Sequence, residues 1–147
     1  MNLAHLKEAG LDAARFPEDG AGLLALAKAT PKKEGGKVVR SGILMTGSDV
    51  HPTVTPGIVA AQMGLERASA DLEQAAVHPK AGIAAMEWVL DLFDEHQVAT
   101  RDVTDRYKAF GTGQGTVFWT GPWTSNGSTR QKLDFAGIVS RRSARSG

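Results

Sequence analysis

The stretch FGTGQGTVFWTGPW, residues 110–123, decides how the chain is read, because its glycines either cradle a phosphate or turn a corner. A phosphate loop aims backbone N–H groups at the anion from the start of a helix, so its glycines follow a strand and precede a helix. Here the order is reversed. RDVTDRYKAF, residues 101–110, reads as a short helix ending at Gly111, and GTVFW, residues 115–119, reads as a strand, which puts Gly111, Gly113 and Gly115 between the two. No Gly-Lys-Ser/Thr sequence follows, and the dinucleotide-binding glycine spacing is not met. The glycines are expected to turn a tight helix-to-strand corner, and the nucleotide reading is set aside.

The other end of the stretch carries the functional question. The strand runs into Gly121 and Pro122 and then into a helix opening near Trp123, and ligands of open α/β sheets collect outside the carboxyl ends of strands. An indole there offers a flat apolar face and one N–H donor, which suits a pyranose-like molecule with an apolar face and a polar rim. A lone tryptophan also serves as a core or hydrophobic-cap residue, and burial statistics favour that role. Trp119 is expected to face the core or the opposite side of the sheet.

Working outward, residues 2–9 read as a short helix with Leu3 and Leu6 on one side and Gly10 to end it. Asp19 caps a second helix over residues 20–30, with Leu23, Leu26 and Ala27 on one face, and Pro31 stops it. PKKEGGK, residues 31–37, reads as a polar loop. SGILMTG, residues 41–47, is an apolar run between glycines, too short for a helix, and so a buried strand. The loop SDVHPTVTP follows, then GIVAAQMGL as a helix entered through Pro56. In PKAGIAAMEWVLDLFDEHQ, residues 79–97, Pro79 opens a helix whose Ile83, Met86, Val89, Leu90 and Phe93 recur at helical spacing. Its Asp91, Asp94 and Glu95 fall to solvent, and His96 sits in its last turn. LDFAGIV, residues 133–139, is the final strand candidate. Strands separated by helices imply an α/β domain over residues 1–139, with SRRSARSG, residues 140–147, as a basic, disordered tail.

The composition fits a single globular domain: 147 residues, 41% apolar and 22% charged. No run approaches the roughly 20 apolar residues that span a bilayer, and MNLAHLKEAGLD lacks the basic start and apolar centre of a secretory signal, so the chain as written is expected to stay cytoplasmic. The absence of cysteine excludes disulfides, zinc-thiolate sites and thiol nucleophiles. The net charge of +1 arises in the last stretch, where Arg130, Lys132, Arg141, Arg142 and Arg145 face only Asp134. A nucleic-acid-binding domain concentrates cations over a folded face, so nucleic acid is not an expected partner.

Taken together these segments resemble the bacterial extracellular solute-binding proteins of ABC transporters, in the sugar-binding, maltose-binding-protein-like branch. The resemblance runs through HLKEAGLD, FPED and LLALAKAT, then GGKVVRSGILM, then residues 81–123, and enters KLDFAGIV. Its most specific part is Phe110, the glycine corner, the strand, and Gly-Pro-Trp at Gly121, Pro122 and Trp123. It implies one lobe of a type II periplasmic-binding-protein fold, a short central sheet flanked by helices. It also implies noncovalent capture of a sugar or other small solute, delivery to a membrane permease, an extracytoplasmic location and no cofactor. Trp123 would stack on the sugar, and Thr46, Ser48, Asp49 and His51, on the loop after the GILM strand, would hydrogen-bond its hydroxyls.

A complete receptor of this kind is far longer and closes two lobes on the solute about a hinge, whereas the resemblance covers most of one lobe. The Thr-Trp pair after the proline near Pro17 and a Pro-Leu-Pro-like segment after the last strand are missing. The expectation is therefore a truncated receptor piece that binds sugar weakly or not at all. The alternative is a stand-alone interaction domain, homo-oligomeric through exposed sheet edges. A glycosidase needs two carboxylates across a cleft, but Asp91 and Glu95 lie on one helix face. His5, His51, His78 and His96 have no metal-binding spacing, and Ser48 lacks the glycines of a nucleophile elbow, so the chain is not expected to be an enzyme.

Overall fold

The structure is a computed structural model and describes residues 1–17, 19–50, 55–63 and 79–120. Its elements run α1 (Leu3–Glu8), α2 (Gly20–Ala29), β1 (Lys32–Glu34), β2 (Lys37–Leu44), a 3-10 turn (Gly47–Val50), α3 (Thr55–Gln62), α4 (Pro79–Asp91), α5 (Arg106–Gly111) and β3 (Gly115–Phe118). The three strands form one sheet in the order β1-β2-β3. β1 pairs with β2 antiparallel, and β2 with β3 parallel. This is the short α/β sheet with flanking helices that the alternation of segments implies. The expected strand at 133–139 and the tail at 140–147 lie outside the described residues.

Local chemistry sets the helix boundaries. The Asn2 side chain accepts from the N–H groups of Ala4 and His5, Asp19 from Gly22, and Asp105 from Tyr107 and Lys108, each satisfying donors that a helix leaves open at its start. α1 stops before Gly10, whose φ of 70° suits a residue without Cβ. The corner between α5 and β3 is turned at Gly113, φ 75°, as the order of elements required.

The polar segment 31–37 is not a loop. Lys32–Glu34 forms the edge strand of a hairpin whose turn is Gly35–Gly36, with φ of 57° and 79°. Two successive positive φ angles define the mirror-image turn that matches strand twist. β2 accordingly starts at Lys37, four residues before the apolar run. The outer edge of β1 carries Lys32, Lys33 and Glu34, all exposed, a composition that discourages edge-to-edge pairing. On the far side of β3, the Asn2 N–H donates to the Thr116 carbonyl at 2.8 Å.

The second half of β2, residues 41–44, is buried throughout, so the sheet is covered on both faces. Ile43, Met45 and Val117 join the main core with Leu26, Ala27, Val89 and Leu92, and Trp119 packs against it as expected. Leu44 turns instead into a second cluster with Ala109 and Phe110, flanked by Val103 and Phe118. In α4 the buried stripe is Ala85 and Val89, continuing to Leu92 and Phe93, while Ile83 is 58% exposed. The helical period was right, but the packed face is rotated away from Ile83. The helix also ends at Asp91, and His96 follows in a turn closed by Gln97 in the left-handed region.

His5 is buried, with Nδ1 3.1 Å from the Thr116 hydroxyl. Burial and the nearby Arg40 guanidinium push its pKa below 6.5, against a smaller opposing pull from Glu8. The unfolded chain therefore binds a proton before the folded one does. Stability is whole above pH 6.5 and declines as pH falls through and below that value. The melting temperature should drop between pH 7 and 5, and His5→Asn should flatten that dependence. An equal slope in the variant would remove His5 as the cause.

Candidate functional site

The parallel register pairs Ser41 with Gly115 and Leu44 with Phe118, so β2 and β3 end side by side. The chain leaving β2 forms Met45, Thr46 and the 3-10 turn, and the chain leaving β3 continues through Trp119 and Thr120. The short glycine corner folds α5 back along β3, so the start of α5 meets the strand's carboxyl end. The Tyr107 and Phe118 rings meet edge-on with centroids 5.4 Å apart, and Phe110 lies at the same distance on a 42° tilt. One rim of the sheet thus gathers three chain segments.

Within that rim the predicted residues Thr46 and Asp49 are joined to each other. The Thr46 N–H and hydroxyl both donate to Asp49 Oδ2, at 2.7 and 2.8 Å, and the Asp49 N–H donates to the Thr46 carbonyl at 2.9 Å. Arg106 Nη1 donates to Asp49 Oδ1 across 57 residues of sequence. Both Asp49 oxygens are therefore engaged with the protein, and its side chain is only 8% exposed. The Arg106 guanidinium lies 5.5 Å from the Tyr107 ring centroid, and Tyr107 is exposed. Ser48 belongs to the 3-10 turn, while His51 and Trp123 lie outside the described residues.

Sequence reasoning missed Arg106 and Tyr107. The available signal was Asp105 as a cap followed four residues later by the Ala109–Phe110 pair, which fixes the helix start. Folding that start back onto the strand end then brings positions 106 and 107 to the rim.

Other features of the described residues lie elsewhere. One concavity of about 320 Å³, lined by Val38, Ser41, Thr100, Asp102 and Gln114 among others, sits at the opposite, amino-terminal ends of β2 and β3. Another of about 380 Å³ lies between Lys28, Lys33 and His96. Both are shallow, and neither touches the rim. Asp91 and Glu95 are exposed, and among the described residues no three His, Cys, Asp or Glu side chains are grouped to hold a metal ion. No helix among the described residues is long and apolar enough to cross a membrane.

This arrangement of a parallel strand pair, flanking helices and a loop-lined carboxyl rim is shared with part of two solved ABC transporter solute-binding proteins. An ABC transporter solute-binding protein from Thermotoga lettingae TMO, bound with α-D-tagatose, superposes with a TM-score of 0.75 at 20% identity, over 92% of this chain and 35% of its own. An ABC substrate-binding protein from Listeria monocytogenes, in complex with cycloalternan, does so with a TM-score of 0.66 at 18% identity, over 90% of this chain and 33% of its own. The chain thus spans about a third of the length of these solved structures. No family model matches the sequence, and no curated protein does.

Proposed function

We propose that the chain captures a sugar noncovalently at the carboxyl rim of β2 and β3, as the solute-facing part of one lobe of a receptor serving a membrane permease. The observation that carries this reading is the Leu44–Phe118 pairing, which brings the loop after β2 beside the chain that leads from Thr120 toward residues 121–123. Two proteins of the same fold hold carbohydrates in their structures.

In this reading Trp123 stacks on the sugar ring. It follows Thr120, on the chain that leaves β3, by three residues. Ser48 and His51 direct hydrogen bonds to hydroxyls, and Thr46, whose hydroxyl proton is given to Asp49, accepts from one. Asp49, with both oxygens engaged, shapes their loop rather than reaching the solute. Stacking and hydrogen bonding involve no covalent step, and the activity is binding alone.

A single wall covers far less than the roughly 70–90% of ligand surface that a good small-molecule site buries, so the affinity should be low, about millimolar. Titrating the isotopically labelled chain with D-tagatose, glucose and malto-oligosaccharides should give saturable resonance shifts in that range. Micromolar affinity would overturn the one-walled site, and no saturable shift with any of these sugars would overturn sugar capture.

A further inference from the structure

We propose that Arg106 is the positioning residue of the rim, clamping the loop after β2 in its solute-facing shape through Asp49. This rests on the capture reading above for its purpose, but not for its geometry. Asp49 is buried, and an unpartnered carboxylate there would be strongly disfavoured. Its Oδ2 ties down the Thr46 N–H and hydroxyl, leaving Oδ1 to be met from outside the loop, and Arg106 meets it. Nothing within residues 46–50 supplies that cation.

The placement of Arg106 is itself informative. It is the first residue of α5, where the positive end of the helix dipole disfavours a cation. Asp105 offsets some of that as the helix cap, and Asp49 supplies the remaining reason for an arginine at this position. The guanidinium also lies by the Tyr107 ring, which in turn meets Phe118 at the end of β3. A chain of contacts therefore links the loop after β2 to the end of β3, the two segments that form the solute-facing rim. With the loop already held in one conformation, binding would not have to order it.

Amide hydrogen exchange tests the clamp whether or not a sugar is bound. In Arg106→Met, exchange at the Thr46 and Asp49 amides should speed up by about tenfold or more, while amides of residues 41–44 stay within about twofold of the parent. Arg106→Lys, which keeps the charge but not the fork, should fall between the two. Arg101→Met, which removes the exposed pair with Asp94, should leave the loop unchanged. Unchanged exchange at Thr46 and Asp49 in Arg106→Met would overturn the proposal, as would equal acceleration throughout β2, which would mark a general loss of stability. Where the parent chain binds one of the sugars above, its affinity should fall severalfold in Arg106→Met. Unaltered affinity alongside a loosened loop would overturn the role in binding. Failure of the parent to bind any sugar would sink the capture reading, and the exchange data would still decide the clamp.

Discussion

Gly42→Ala should destabilise the protein by about 3 kcal/mol, lowering its melting temperature by roughly 10 °C. Alanine usually strengthens a strand relative to glycine by about 0.5–1 kcal/mol, so the expected sign is the reverse of the ordinary one. The reason is a direct approach of α2 to the β2 backbone. A Cβ at Gly42 would stand 2.7 Å from the carbonyl carbon of Ala27 and 2.8 Å from its Cα, and would also strike its carbonyl oxygen. These are backbone atoms of a helix whose Leu26 and Ala27 are anchored in the core, so no rotamer change relieves the contact. The Gly42 N–H is also held to the Val98 carbonyl at 2.8 Å, which opposes a shift of the strand. Because the clash is with backbone, adding Ala27→Gly should not restore stability. Urea unfolding of both variants checks this, and a Gly42→Ala protein within about 0.5 kcal/mol of the parent would show that α2 does not pack on β2 as described.

Trp123→Ala should abolish measurable sugar binding. An anchoring tryptophan truncated to alanine costs about 2 kcal/mol or more, about thirtyfold in affinity. From a millimolar starting point that puts the dissociation constant in the tens of millimolar, beyond practical saturation. Trp123→Phe keeps a flat apolar face without the N–H donor and should retain part of the affinity, which separates stacking from hydrogen bonding. The folded state should be little changed in either variant if the indole faces a solute. A large loss of thermal stability in Trp123→Ala with sugar binding intact would instead mark Trp123 as a packing residue.

How much of this was legible in the sequence depended on how local the cause was. Asp19 before a leucine-bearing run and Gly111 to Gly115 between a helix and a strand are read from adjacent residues, and both elements appear where the pattern put them. The hairpin was missed because Lys32, Lys33 and Glu34 are polar and exposed, so no alternation marks them as a strand. The one local clue was Gly35–Gly36, a pair suited to a two-residue turn. Ile83 shows the limit of periodicity, which finds a stripe but not which edge of it the neighbouring elements cover. The link between Asp49 and Arg106 spans 57 residues and joins two polar segments, so neither spacing nor hydropathy signals it. It follows from the parallel pairing of β2 with β3 and the return of α5 along β3, which only the assembled fold displays.

Whether the carboxyl rim of β2 and β3 faces the solute can be read from the indole N–H resonance of Trp123 during titration with D-tagatose. This signal should move and saturate together with the Thr46 and Asp49 amides. A Trp123 signal that stays put while shifts gather around Ser41, Thr100 and Gln114, at the other end of the sheet, would contradict a solute-facing rim.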